Sequence, residues 1–335
     1  MLREVAQYLG VDATLVSKFE SGARKPTREQ VNKYTEILDL DEDALMVEWL
    51  KARILKEIGY DEIALKAMVA AEVEIKYTIL KKALPHSVVL KGLLTDIDKL
   101  KVKLDALRKF DSYKIAQSLE LEYTFESNRI EGNTLTLNET NLVINEGLTI
   151  SGKSMREHLE AINHNEAIEY IKYLIEKKSN LNERELLTIH NLILRGIDSA
   201  NAGVYRKVQV MIQGSSFTPP QPYRIAKDME DYFIWYNAFK TKLHPVILAA
   251  EMHERLVTIH PFIDGNGRTS RLVMNLILLK HGYAIANIKG DASSRLAYYN
   301  ALEKSQTQNV KDEFVELIAF QELNAIERHL NIVAH

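Results

Sequence analysis

A chain of 335 residues, 46% hydrophobic and 27% charged, has the composition of a globular protein with two or three domains and a sizeable core. Its formal net charge of −3 supplies no global attraction to nucleic acid, so any DNA contact has to come from a local patch. The lack of cysteine excludes disulfides, thiolate zinc sites and cysteine nucleophiles, and no apolar run reaches the length of a bilayer span. The opening MLREVAQYLG has no signal-peptide core, so a cytoplasmic location and no membrane partner are expected.

Helical periodicity dominates the chain, and a mainly α fold is expected. Residues 1–40 read as a small helix-turn-helix module. Leu2, Val5, Ala6 and Leu9 mark a first helix that stops at Gly10, and a second helix starts from Asp12 and ends near Gly22. A third opens at Pro26 and Thr27, with Val31, Tyr34, Ile37 and Leu38 on one face. The run VAQYLGVDATLVSKFESGARKPT resembles the lambda-repressor-like helix-turn-helix family through Ser17, Glu20, Gly22 and Pro26, although the usual first helix of that family is missing. The resemblance implies DNA as a partner, with Thr14, Ser17 and Lys18 at the bases and Arg24 and Lys25 on the phosphate backbone. Six basic and six acidic residues between 2 and 40 give this module no net charge, so a protein-docking role stands beside DNA binding. Helix-turn-helix modules often dimerise, and a homodimer is compatible with this one.

Residues 41–110 read as a helical connector with a break at Pro85. Residues 111–335 read as a larger helical domain. Its one departure is VYRKVQVMIQGSSFTPP, where Val208, Val210 and Ile212 alternate before Gly214, which suggests a short β-hairpin at about 204–218. His190, His244 and His253 lie in apolar helical segments and are expected to pack or cap rather than to bind metal.

The stretch HPFIDGNGRTSR, residues 260–271, falls between the helical run HPVILAAEMHERLVTI and the apolar run LVMNLILLKHGY. It is therefore a loop whose C-terminal end opens a helix, with Asn266 near the N-cap. A helix N-terminus offers free N–H groups and positive partial charge. Gly265 and Gly267 admit a ligand close to the backbone, and Arg268 and Arg271 lie three apart on the first turn. Together they form an anion site suited to phosphates. Asp264 places a carboxylate in that anion site, which Mg²⁺ bridging phosphate oxygens would explain, and His260 can take a proton near neutral pH. No P-loop pattern is present, and no strand precedes the glycines as a dinucleotide fold requires.

The same stretch matches the Fic family motif H-P-F-x-[DE]-G-N-G-R-x-x-R at every defined position. The resemblance implies a helical Fic domain with a hairpin flap that clamps a target segment by strand addition. It implies transfer of AMP from ATP to a Ser, Thr or Tyr hydroxyl of a protein. His260 is then the general base, with Asn266 beside it in the catalytic set, and Asp264 holds Mg²⁺. Gly265, Asn266 and Gly267 form the anion nest, while Arg268 and Arg271 bind outer phosphates. RLAYYNALEKSQ resembles the segment lining the adenine pocket, with Tyr299 as the ring contact and Gln306 where some relatives carry Asn.

Upstream, SNRIEGN at 127–133 places Ser127 and Glu131 four apart on one helical face. It is similar to the inhibitory helix [ST]-x-x-x-E-[GN] of many Fic proteins, here near 120–133. The resemblance implies that Glu131 pairs with Arg271 and occupies the γ-phosphate position. Two other functions stay open at this point. One is a DNA-binding regulator whose Fic domain senses nucleotide. The other is a Fic enzyme that uses another nucleotide, transfers phosphocholine or removes AMP.

Overall fold

The computed structural model describes residues 2–38, 41–83, 87–108 and 112–334. The chain divides into two compact units, Met1–Glu72 and Val73–His335.

The first unit begins with α1 (Leu2–Leu9), α2 (Ala13–Glu20), α3 (Arg28–Leu38) and α4 (Glu42–Ile58). Gly10 and Gly22 end the first two helices at φ of 66° and 72°, a backbone region that glycine adopts without a Cβ clash. Asp12 caps α2 by accepting the Thr14 N–H at 2.7 Å. Thr27 and Gln30 cap α3 reciprocally, each side chain accepting from the other's N–H. Val5, Ala6, Leu9 and Val16 form a small core, with Tyr34 packed against it. Trp49 of α4 donates to the Pro26 carbonyl at 3.0 Å and so ties α4 to the start of α3. Then α5 (Glu62–Ala83) runs from the first unit into the second. The break expected at Pro85 lies outside the described residues, as do the side chains of Leu2, Ile37 and Leu38.

The second unit continues with α6 (Val88–Leu107), α7 (Tyr113–Ile130), α8 (Leu137–Glu146), α9 (Met155–Glu176), α10 (Glu183–Leu194), α11 (Ile225–Phe239), α12 (Pro245–Ile259), α13 (Asn266–Lys280), α14 (Ala292–Gln308) and α15 (Asp312–Ala334). The central pair is α12 and α13. Helices α7, α9 and α10 pack on α13, while α11, α14 and α15 pack on α12. The apolar runs that flank the motif are buried as this arrangement requires, from Val246 to Val257 on α12 and from Leu272 to Leu278 on α13.

Helix α6 is part of this unit rather than a bare spacer. Leu90, Ile97 and Leu104 stand seven residues apart on one stripe and are all essentially inaccessible, and α6 packs along α15. Arg108 then donates to the Gly282 and Tyr283 carbonyls at 2.7 and 3.0 Å, just past the end of α13.

No strand forms among the described residues, so the hairpin expected at 204–218 is corrected to an irregular excursion. The reason is in its returning arm. Pro219 and Pro220 carry no N–H and can offer only carbonyls, so no backbone ladder closes. Side chains bridge the arms instead. Gln209 donates to the Pro219 carbonyl at 2.9 Å and Arg206 to the Pro220 carbonyl at 2.6 Å.

Because Ile97 is fully buried at the centre of the α6 stripe, Ile97→Ala should lower the unfolding free energy of the second unit by about 2–5 kcal/mol. Urea denaturation measures this, and a loss under about 0.5 kcal/mol would show that α6 is not integral to the core.

Candidate active site

The motif begins where α12 stops. His260 takes φ 50° and ψ 58°, a left-handed conformation that ends the helix, while its N–H still bonds to the Leu256 carbonyl at 2.9 Å. The loop that follows is closed by Asn266, whose amide donates to the Phe262 carbonyl at 2.9 Å and accepts the Phe262 N–H at 3.0 Å. Gly265 is the N-cap of α13 at φ 79°, and a Cβ there would press on the His190 ring and on Ile193 at 3.3 Å. His190 supports the loop from below. It stacks on Phe262 with ring centres 3.6 Å apart. Its Nδ1 accepts the Gly203 N–H, so Nε2 carries the proton and donates to the Asp264 carbonyl at 2.9 Å. Burial pushes the His190 imidazole down to about 4, which keeps it neutral. His253 is likewise a packed residue, fully buried against Tyr298, and His244 caps α12 by accepting the Val246 N–H.

His260 itself is polarised for proton uptake. A carbonyl can only accept, so the contact with the Val257 carbonyl at 3.2 Å puts the proton on Nδ1 and leaves the lone pair on Nε2. Burial lowers the imidazole below its ordinary value, the Val257 bond opposes this, and the Arg206 cation adds to the lowering.

Arg271 is 1% exposed. Its Nε donates to Ser127 Oγ at 3.0 Å, and its Nη2 donates to the Ser127 carbonyl at 2.9 Å and to Glu131 Oε1 at 2.6 Å. Glu131 is the C-cap residue of α7, and its carboxylate lies over the first turn of α13. A Cβ added at Gly267 would collide with that carboxylate and stand 3.1 Å from Arg271 Nη1. The space that Gly267 leaves open is thus filled by the acid.

Arg268 is also buried. Its Nη2 donates to Asp264 at 3.3 Å, and its Nη1 lies 3.3 Å from Glu160 without a hydrogen-bonding angle. Arg268 Nε, Arg268 Nη1 and Arg271 Nη1 are buried without hydrogen-bond partners. Buried donors left unpaired are costly, and anionic oxygens are what would satisfy them.

Asp264 accepts from Arg156 at 2.6 Å and from the Gly265 N–H at 2.6 Å. Burial alone would raise its carboxyl, but Arg268, the Gly265 N–H and Arg156 more than offset this and hold it below the ordinary value. Among the described residues no cluster of three or more metal-ligating side chains is assembled. A single ionised carboxylate beside guanidinium donors without partners nonetheless fits Mg²⁺, which takes most of its ligands from phosphates and water.

Tyr299 stands at the edge of the site, its ring 43% exposed and its hydroxyl bonded to the Ile130 carbonyl at 3.2 Å, while Tyr298 is core. The structure therefore brings together His260, Asp264, Gly265, Asn266, Gly267, Arg268, Arg271, Tyr299, Ser127 and Glu131. Thr14, Ser17, Lys18 and Arg24 belong to the first unit. The first three share an exposed face of α2 and Arg24 is exposed beyond its end, but Lys25 is engaged with the Ala52 carbonyl.

Several residues of the site carry no sequence signal. Arg156 and Glu160 look like an ordinary i, i+4 surface pair on α9, yet Arg156 reaches Asp264 and Glu160 faces Arg268. Asn133 donates to Glu160 at 3.0 Å and anchors the turn after Glu131; its only hint is its place in SNRIEGN. Arg206 donates to the His260 carbonyl at 2.8 Å.

Residues 180–278, which hold α10, the excursion, α11, α12 and most of α13, match the Fic/DOC family. The chain contains a Fic domain. Among curated relatives, a protein adenylyltransferase Fic of Drosophila willistoni is 34% identical over 229 residues, which is 68% of this chain and 45% of the relative. The chain thus spans under half the length of the curated Fic relatives it matches. Among solved structures, Fic-1 residues 134–508 from C. elegans shares the fold with a TM-score of 0.66 at 23% identity, over 99% of this chain and 97% of that one. A Fic-domain-containing signalling protein from Bacteroides thetaiotaomicron is 28% identical with a TM-score of 0.64, over 71% of this chain and 98% of that chain.

Glu131 makes a charge-assisted hydrogen bond to a guanidinium that has almost no access to water. Glu131→Gln should therefore lower stability by about 1.5–3 kcal/mol, measured by urea denaturation. An unchanged midpoint would show that the pair contributes nothing to the fold.

Proposed function

We propose that this chain is an auto-inhibited protein adenylyltransferase that moves AMP from ATP to a Ser, Thr or Tyr hydroxyl of a protein, itself included. The observation that carries the reading is the Glu131–Arg271 ion pair, seated over Gly267 in a phosphate cradle beside the unprotonated Nε2 of His260. The names of the relatives that this Fic domain resembles support the nucleotide and the reaction.

In this mechanism His260 Nε2 takes the hydroxyl proton as the oxygen attacks the α-phosphorus, and pyrophosphate leaves. Asn266 acts by holding the loop closed, so that the N–H groups opening α13 stay aimed at phosphate oxygens. Once Glu131 withdraws, Arg268 and Arg271 offer to the outer phosphates the N–H groups that have no hydrogen-bond partner. Asp264 would hold Mg²⁺, which when bound supplies charge neutralisation to the phosphates, and Arg156 would have to give up its bond to that carboxylate. Tyr299 would pack on the base. With Glu131 on Arg271, the phosphates cannot reach the Arg271 guanidinium, and the α-phosphorus is left out of line for attack.

Glu131→Gly should raise self-adenylylation by roughly 10- to 100-fold, the range that a charge-assisted hydrogen bond of about 1.5–3 kcal/mol allows. His260→Ala in the Glu131→Gly chain should abolish it. Label from ATP carrying α-phosphate ³²P measures both, and equal labelling of parent and Glu131→Gly chains would sink the inhibition. Competition among labelled nucleotides, read by intact mass, separates AMP transfer from transfer of another nucleotide.

A base must be unprotonated to act, and His260 sits below the ordinary imidazole value of 6.5. The Glu131→Gly rate should therefore be flat through neutral pH and fall only as acid protonates His260, below 6.5. A rate that still climbs between neutral and alkaline pH would point to a different base.

A further inference from the structure

Arg206 lies near the start of the irregular excursion and reaches across it to Pro220. It is 3% exposed, and burial alone acts on its guanidinium, with no acid to offset it. Placing a cation in such a site is unfavourable unless its donors are matched in detail. They are matched by backbone carbonyls. Nε donates to His260 at 2.8 Å, Nη1 to Val208 at 2.9 Å and Nη2 to Pro220 at 2.6 Å, while the Arg206 N–H donates to Pro261 at 2.9 Å.

The carbonyl held by Nε belongs to a residue in a strained conformation. A non-glycine residue in the left-handed region costs on the order of 1–2 kcal/mol and persists only where its surroundings enforce it. His260 is held from two sides, by the Leu256 carbonyl through its N–H and by Arg206 through its carbonyl. Release of either bond lets the peptide relax, and the imidazole moves with it.

We propose that Arg206 is the positioning residue of the His260 base: its planar fork locks the left-handed His260 peptide and fastens both arms of the 204–220 excursion to it. Base placement and the shape of the surface beside it then become one mechanical unit. The inference rests on reading His260 as the base. Charge gives it a separate signature. Three charged groups act on the imidazole: the Arg206 cation, Glu131 from the end of α7 and Asp264 from the motif loop. Arg206 lowers the imidazole and the two acids raise it, so loss of the cation raises it.

The test uses the full chain carrying Glu131→Gly, with Arg206→Lys and Arg206→Gln added in turn and AMP transfer measured across pH. Both variants should lose kcat by roughly 100-fold, the scale of an ångström-sized misplacement, with KM for ATP held. The acid limb of the rate profile should move to higher pH in Arg206→Gln and stay in place in Arg206→Lys, which keeps the charge without the fork. Should Arg206→Gln fail to fold, the kcat of Arg206→Lys decides alone. Parent-like kcat in Arg206→Lys, or an unmoved acid limb in a folded Arg206→Gln, overturns the proposal. Activity that survives His260→Ala in the same background instead overturns the base assignment, whatever Arg206 does.

Discussion

The burial of one guanidinium governs the architecture of the site. Arg271 is almost fully removed from water, and a charge in such a place is costly unless most of its donors are met. Ser127 meets two of them and Glu131 a third, and all three bonds come from the last turns of α7. The position of α7 is thus coupled to the charge of α13. Other contacts reinforce it. Glu126 accepts the Gly290 N–H at 2.8 Å, and Lys289 reaches Glu122 at 2.5 Å. Gly290 has no Cβ because one would strike Arg129 at 2.8 Å, one residue before Ile130 and two before the acid itself. Helix α7 is seated along its C-terminal half, from Glu120 to Ile130, so the backbone position of Glu131 is a property of the fold.

The motif loop follows the same logic with backbone in place of charge. Two consecutive helices, α12 and α13, are buried on nearly all sides, and the chain must reverse between them within a few residues. Left-handed His260 and Gly265 make the two corners, and the Asn266 amide closes the span between them. The candidate site has the same geometry, because a corner residue projects from the helix end and a glycine corner exposes N–H groups. Packing and the geometry of the candidate site therefore ask for the same residues here.

That coincidence explains what could be read from sequence. HPFIDGNGRTSR was legible because its residue types are unusual between two apolar periodic runs. The helix caps at Asp12 and Thr27 were legible because capping is local. Residues 204–218 misled because the alternation of Val208, Val210 and Ile212 is a true strand pattern, but a hairpin needs a partner arm with N–H groups, and Pro219 and Pro220 have none. Arg156, Glu160 and Arg206 were illegible for another reason. Their partners lie on other elements, as far as 108 residues away for Arg156 and Asp264, and nothing in their own neighbourhoods sets them apart from surface charges. The segment that carries Leu90, Ile97 and Leu104 read as helical connector, but its burial against α15 depended on a surface presented more than 200 residues later.

The ion pair at the centre is lopsided. Arg271 is sealed, while the Glu131 side chain keeps 31% of its surface in contact with water. The acid is also part of the same chain, at the end of a seated helix, so dilution of the protein leaves the pairing unchanged. Under the proposed function an incoming anion competes with this fixed internal partner, and the seating of α7 enters the balance. The acid is the half of the pair that faces the solvent, so it can leave the guanidinium without opening the core around Arg271.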